Sequence, residues 1–177
     1  NRLAEVSLQV PGRHNVQNAV AALAVVAILG LPIQEAAQSL SIFEGTGRRF
    51  EVHGQAAGVT VVDDYAHHPT EIRATLAAAR SRFAGRSLWA VWQPHTYSRT
   101  RAYFTGFARA FIDADHVVVT EVYAAREAVD AQFSARQVME AMDHLDAYFI
   151  PDLEQAANFL IERLQPGEVL LVLSAGD

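Results

Sequence analysis

The stretch VVDDYAHHPTEI, residues 61–72, sets Asp63, Asp64, Tyr65, His67 and His68 within six positions, after an apolar run and before Pro69. Part of it has a plain structural reading. Pro69 suits the first helical position, His68 the cap before it, and Glu71 the positive end of the helix dipole. Asp63, Asp64, Tyr65 and His67 are left over. Two adjacent carboxylates at a strand end are costly unless a hydroxyl-rich ligand, a cation or an arginine offsets them. Strand alternation sends Asp64 to one face and Asp63 to the other, where Arg48 or Arg73 would pair with it. A metal site is the competing reading, since Asp and His are common ligands. Neighbouring strand residues point to opposite faces, however, and no three ligands visibly converge, so no metal is assigned.

A second stretch, WQPHTYSRT, residues 92–100, opens on the end of another apolar run. Ser98 is a natural N-cap there, and His95 and Arg99 flank a helix start whose amides and dipole favour a carboxylate or phosphate. Cations are disfavoured at that end of a helix, so a bound anion explains Arg99 and Arg101 better than solvation does. In a third group, GRHNVQN at residues 12–18, Asn15 and Asn18 lie one turn apart on one helix face. A carboxamide both donates and accepts, matching the N6/N7 edge of adenine, although Asn15 fits a helix cap equally well.

These groups need a scaffold. Residues 3–10 are predicted as a strand, and Pro11-Gly12 then turns into a helix over about 15–29 that is apolar nearly all round, is expected to be buried, and is stopped by Gly30. A short amphipathic helix over 33–40 leads into FEGTGRRF, where glycines and arginines break the periodicity and predict a boundary near residue 45, separating 1–44 from 45–177. Residues 50–52 and 59–62 flank a glycine-containing turn and predict a hairpin. Strands follow at 88–92, 117–121, 147–150 and 169–173, with helices at 69–83, 98–112, 134–142 and 152–164. Apolar strands separated by helices imply an α/β, Rossmann-like, mostly parallel sheet covered on both faces, with right-handed crossovers. Ligands bind such sheets outside the carboxyl ends of the strands, where DDYAHH and QPHTYSRT fall.

Composition narrows the partners. The 177 residues, 51% of them apolar, suffice for one domain or one domain plus part of another. A net charge of -6 with 14 scattered Lys and Arg argues against a nucleic-acid surface and for small ligands. The absence of cysteine excludes a disulfide framework and a thiolate zinc site, and suits a cytoplasmic protein. The longest apolar run, 19–29, is shorter than the about 20 residues a membrane helix needs, and no basic signal-peptide head precedes it. A globular, soluble chain without a membrane partner is expected. It starts without Met inside a predicted strand and ends on SAGD with no closing helix, which reads as a piece of a longer protein.

GRHNVQNAVAA, FEGTGRRFE, DDYAHHPTEIRATLAAAR, QPHTYSRT and EVYAARE, in this order and spacing, resemble the second half of the Mur ligases of bacterial peptidoglycan synthesis. The HN..N pattern and the arginine pair are shared broadly in that family. DDYAHHPTE narrows the likeness to the branch that adds L-alanine to UDP-N-acetylmuramate and to the murein-peptide ligases that recycle tripeptide, and QPHTYSRT separates those two. The resemblance covers nearly the whole chain. It implies the end of a central ATP-binding domain over 1–44 and a C-terminal Rossmann-like domain over 45–177, with the UDP-sugar domain and phosphate loop outside it.

The activity so implied is an ATP-dependent amide ligation in the cytoplasm. The sugar-lactyl carboxylate takes the γ-phosphoryl group, and the amine of L-alanine attacks the acyl phosphate. Mg2+ would be held mainly outside this chain, which is expected to be inactive alone. Carried over residue by residue, the resemblance puts Asn15 and Asn18 on adenine, Asp64 on the ribose and Arg49 against the ATP phosphates. It puts Tyr65, His67, His95 and Arg99 around the alanine, with Arg99 on its carboxylate and His67 or His95 handling its amine. Arg49 and His67 are therefore the catalytic candidates. Two positions depart from the pattern: Thr96 stands where some members carry an arginine, and Arg126 where a glycine is expected. The alternatives are the tripeptide-recycling ligase and a nucleotide-binding module without chemistry.

Overall fold

Residues 3–176 are described by the computed structural model, and their sheet begins with an antiparallel hairpin, β1 (Glu51–Ala56) and β2 (Val59–Asp64). Its two-residue turn, Ala57-Gly58, takes positive φ at both positions (50° and 81°), the geometry whose twist matches that of paired strands. Pro166 closes in on this turn, so that a Cβ on Gly58 would sit 2.9 Å from it. After the hairpin come α3 (Pro69–Arg82), β3 (Leu88–Gln93), α4 (Tyr97–Ala102), α5 (Phe104–Ala108) and β4 (His116–Val119). The chain continues through α6 (Ala135–Glu140), β5 (Ala147–Phe149), α7 (Leu153–Arg163) and β6 (Val169–Ser174).

The six strands lie in the order β1-β2-β6-β3-β4-β5, and every pair after the hairpin is parallel. This is the Rossmann-like α/β sheet expected from the alternation of apolar strands and helices. Because α7 carries the chain back to insert β6 between β2 and β3, the direction of winding reverses there. Asp64, Leu173, Trp92 and Val119 pair in one register row, so the carboxyl ends of four strands finish level and their loops converge. One face buries Val62, Leu171, Trp92 and Val117 under Ile72 and Leu76 of α3 and Phe107 of α5. The other buries Trp89 and Val118 under Ala156 and Leu160 of α7.

The start of α3 follows its sequence signals. His68 accepts the Thr70 N–H through Nδ1 (3.2 Å), Glu71 accepts the N–H groups of His67 (3.0 Å) and His68 (3.1 Å), and Pro69 is the first helical residue. This reciprocal cap fixes the direction in which the chain leaves β2.

Three expectations are corrected. Residues 3–10 form no strand; they lie beside the helix over 33–41, with the Ser7 N–H donating to the Ser41 hydroxyl, Gln9 Nε2 to the Ser41 carbonyl and Gln34 Nε2 to the Leu3 carbonyl, because no neighbouring strand is there to share their backbone groups among the described residues. The apolar helix α1 (Arg13–Ile28) is not buried: only Ala19 is, while Val20 and Ile28 are 62% and 84% exposed. It packs chiefly on α2 (Ile33–Ser41) and, less, on α3, which leaves much of a helix that is apolar on all sides uncovered. The helix expected over 98–112 is broken at Tyr103, whose backbone leaves the helical region (φ -109°, ψ 23°). The second piece, α5, brings Gly106 so close to Pro69 that a Cβ would sit 3.0 Å from its ring.

Candidate functional site

A cleft of about 330 Å³ opens between α1 and the β2–α3 turn, lined by His14, Asn15, Asn18, Thr46, Arg49 and Asp64 among others. The four residues expected around a nucleotide, Asn15, Asn18, Arg49 and Asp64, thus line one cleft. Asn15 is not the cap of its helix, which has no side-chain cap; it donates from Nδ2 to the Pro11 carbonyl (2.7 Å), leaving its Oδ1 free to accept. The side chain of Asn18, one turn on, makes no hydrogen bond among the described residues.

Arg49 is presented to the cleft by a backbone that bends sharply on both sides. Arg48 (φ 57°) and Phe50 (φ 51°) both sit in the left-handed region, at a cost of about 1–3 kcal/mol each unless neighbours over-determine it. They do. The Tyr65 N–H donates to the Arg48 carbonyl (2.7 Å), the Arg48 N–H to Glu51 (2.7 Å), and the Phe50 N–H to Asp64 Oδ2 (2.8 Å). Asp64 therefore has a second task invisible in the sequence, since its other oxygen accepts the Ala66 N–H (2.8 Å). Burial raises its carboxyl above the ordinary value, against the hydrogen bonds from Phe50, Ala66 and Thr75 and the positive charge of Arg49. Asp64→Asn is expected to lose about 1–3 kcal/mol of stability, because a carboxamide accepts from only one of the two N–H groups and turns an NH₂ toward the other. Chemical denaturation reads this directly, and an unchanged midpoint would contradict it.

Asp63, on the opposite face, is ion-paired with Arg48 Nε (3.1 Å), one of the two partners expected for it. Arg48 also donates to the Ser174 carbonyl (2.8 Å) and stacks over the Tyr65 ring (5.2 Å), so it braces β2 against β6.

Tyr65 and His67 leave the end of β2, and His95 and Arg99 the end of β3. His67 Nδ1 lies 2.9 Å from the Tyr65 carbonyl, and a proton on that nitrogen leaves Nε2 as the basic one. His95 is held below its ordinary pKa, chiefly by burial and then by the charges of Arg99 and His67, with Glu127 opposing. It is thus neutral at pH 7, and its Nδ1 accepts from Arg99 Nη1 (3.3 Å). The charge of His67 acts on His95, and the turns that carry them leave the same carboxyl edge of the sheet on either side of β6.

The start of α4 differs from expectation. Its cap is Thr96, whose Oγ1 accepts the Arg99 N–H (3.4 Å), and not Ser98. Ser98 instead donates both its N–H (3.0 Å) and its hydroxyl to the Glu127 carboxylate, so the anion drawn to this helix start is the chain's own. Arg101 is taken by Asp130. Thr46, Tyr123 and Glu127 were missed as site residues because they sit in loops without periodicity; EVYAARE, which contains two of them, was the available signal.

Among the described residues no group of three or more His, Cys, Asp or Glu side chains could hold a metal ion. No described helix is long and apolar enough to cross a membrane.

Residues 48–176 match the family model described as Mur ligase, glutamate ligase domain. The UDP-N-acetylmuramate–L-alanine ligase of Geobacter sulfurreducens is 44% identical over 179 aligned positions, which cover 99% of this chain and 39% of that protein. The ligase of the same name from a Roseiflexus species is 46% identical over 171 positions, covering 97% and 36%. Among solved structures, the UDP-N-acetylmuramate–alanine ligase of Thermotoga maritima matches with a TM-score of 0.78 at 32% identity, over 97% of this chain and 36% of that one. A murein peptide ligase from Psychrobacter arcticus matches with a TM-score of 0.71 at 26% identity, over the same shares. The chain spans well under half the length of these relatives. With a sheet of this topology, a cleft and a second polar group at its carboxyl edge, and a family match over most of its length, the chain belongs to the Mur ligase family.

Proposed function

We propose that this chain is the part of an ATP-dependent ligase that closes over the nucleotide and receives the acceptor amino acid, in an enzyme joining L-alanine to UDP-N-acetylmuramate for peptidoglycan synthesis in the cytoplasm. The observation that carries this is one turn. Asp64 lies on the wall of the cleft, and Tyr65 and His67, the next polar residues, belong with His95 and Arg99. A single strand end therefore joins a nucleotide-sized cleft to a second polar group, as a reaction between a phosphorylated carboxylate and an amine requires.

Bound ATP supplies the phosphoryl group that activates the carboxylate. Asn15 and Asn18 offer the adenine edge one free acceptor and one whole carboxamide, and Asp64 retains lone pairs for ribose hydroxyls beyond its two backbone bonds. Arg49 turns a delocalised cation toward the charge that develops on transfer. Arg99 binds the alanine carboxylate. His67 takes the amine proton through Nε2, while neutral His95 orients the amine. Magnesium would be held mainly outside this chain. The division at residue 45 would make the cleft a junction between the end of the central ATP-binding domain and the C-terminal domain.

Asn18→Ala is the cleanest test of the nucleotide side, since Asn18 holds nothing else in place. In the intact ligase it should raise the ATP KM about three- to tenfold, with kcat and the L-alanine KM little changed. An unaltered ATP KM would remove α1 from the nucleotide site.

A further inference from the structure

The β4–α6 loop carries a group that none of these roles uses. Its two ends are pinned by Glu121, which accepts the N–H groups of Val122 (2.8 Å) and Ala135 (3.0 Å) and the Ser134 hydroxyl (2.7 Å). Its middle reaches back to α4. There the Glu127 carboxylate gathers the Ser98 N–H and hydroxyl, with further hydrogen bonds from the Tyr97 N–H and the Thr96 side chain that together hold it below the ordinary range. The first amides of a helix have no partner within it, so the loop supplies the anion that α4 lacks.

Thr96 makes this contact consequential. It is β-branched yet sits at φ 67°, a conformation such residues keep only under constraint. The constraints are the Thr96 N–H bond to the Tyr123 carbonyl (2.9 Å), the Thr100 hydroxyl on the Thr96 carbonyl (2.7 Å), and Glu127. The Tyr123 N–H returns a bond to Pro94 (2.8 Å), which sets its ring 5.7 Å from that of His95. His95 precedes the strained residue and Arg99 follows it by one helical turn, so relaxation at Thr96 would turn both out of register.

We propose that Glu127 is a positioning residue of the acceptor site: its carboxylate ties the β4–α6 loop to the start of α4 and holds His95, Arg99 and Tyr123 as one unit for a small zwitterionic amino acid. This rests on the ligase reading for the identity of the acceptor, and a contact serving stability alone would leave acceptor binding untouched.

Two measurements separate these outcomes. In the 177-residue chain, NMR titration of His95 with and without Glu127→Gln requires no ligase activity. Loss of the carboxylate should move the His95 pKa further down and weaken the cross-relaxation between the His95 and Tyr123 rings; a His95 that does neither overturns the tie. In the intact ligase, Glu127→Ala should raise the L-alanine KM about tenfold or more and Glu127→Gln should fall between, with the ATP KM within about twofold. A shifted His95 with an unchanged L-alanine KM in both variants reduces Glu127 to a stabilising contact and overturns the proposal. A parent ligase showing no L-alanine-dependent turnover, with the NMR result intact, defeats the functional reading instead.

Discussion

Arg49→Ala in the intact ligase is expected to lower kcat by about 10²–10³-fold while moving the KM values for ATP and L-alanine far less. Among the described residues its side chain makes no hydrogen bond or ion pair and acts on Asp64 only through its charge. A guanidinium carried between two strained residues at the mouth of a cleft is pre-placed, and its field acts most where negative charge grows during phosphoryl transfer. Arg49→Lys should recover only part of the loss, because an ammonium cannot present the planar fork. Rapid-quench measurement of a single turnover separates this from slowed product release. A variant whose defect lies wholly in the ATP KM would make Arg49 a binding residue.

Arg99→Ala should fall on the other substrate. The L-alanine KM is expected to rise by about ten- to a hundredfold, on the order of 1.5–3 kcal/mol, with the ATP KM nearly unchanged. Neighbouring cations are already answered, Arg48 by Asp63 and Arg101 by Asp130, and the start of α4 by Glu127. The Arg99 guanidinium has only neutral His95 as a side-chain hydrogen-bond partner among the described residues, which leaves its charge available to a carboxylate. Thr96 stands where some relatives are expected to carry a second arginine, and here it is occupied with capping α4. Steady-state kinetics with each substrate varied in turn reads the effect; an unaltered L-alanine KM would remove Arg99 from the pocket.

What was legible in the sequence was local. The hairpin, the cap at His68, the outward face of Asp63 and the alternation behind the parallel sheet each depend on residues close in the chain or on strand periodicity. What was illegible depended on distant partners. Residues 3–10 have strand composition but no neighbour to pair with, and α1 has a core helix's composition without a core around it. Ser98 has the chemistry of a cap, yet Glu127, 29 positions away, claims its hydroxyl and leaves capping to a strained Thr96. The site shows the same division. The motifs pointed to residues that share one cleft, whereas the second task of Asp64, fixing the peptide that presents Arg49, appears only once Phe50 and Ala66 are seen to converge on it.

The most direct test of the central claim is ADP and amide formation by the intact protein, measured together with each substrate omitted in turn. The account predicts that both products appear in equal amounts, only when ATP, UDP-N-acetylmuramate and L-alanine are all present. ADP formed without L-alanine, or with a tripeptide in its place and not with L-alanine, would contradict it.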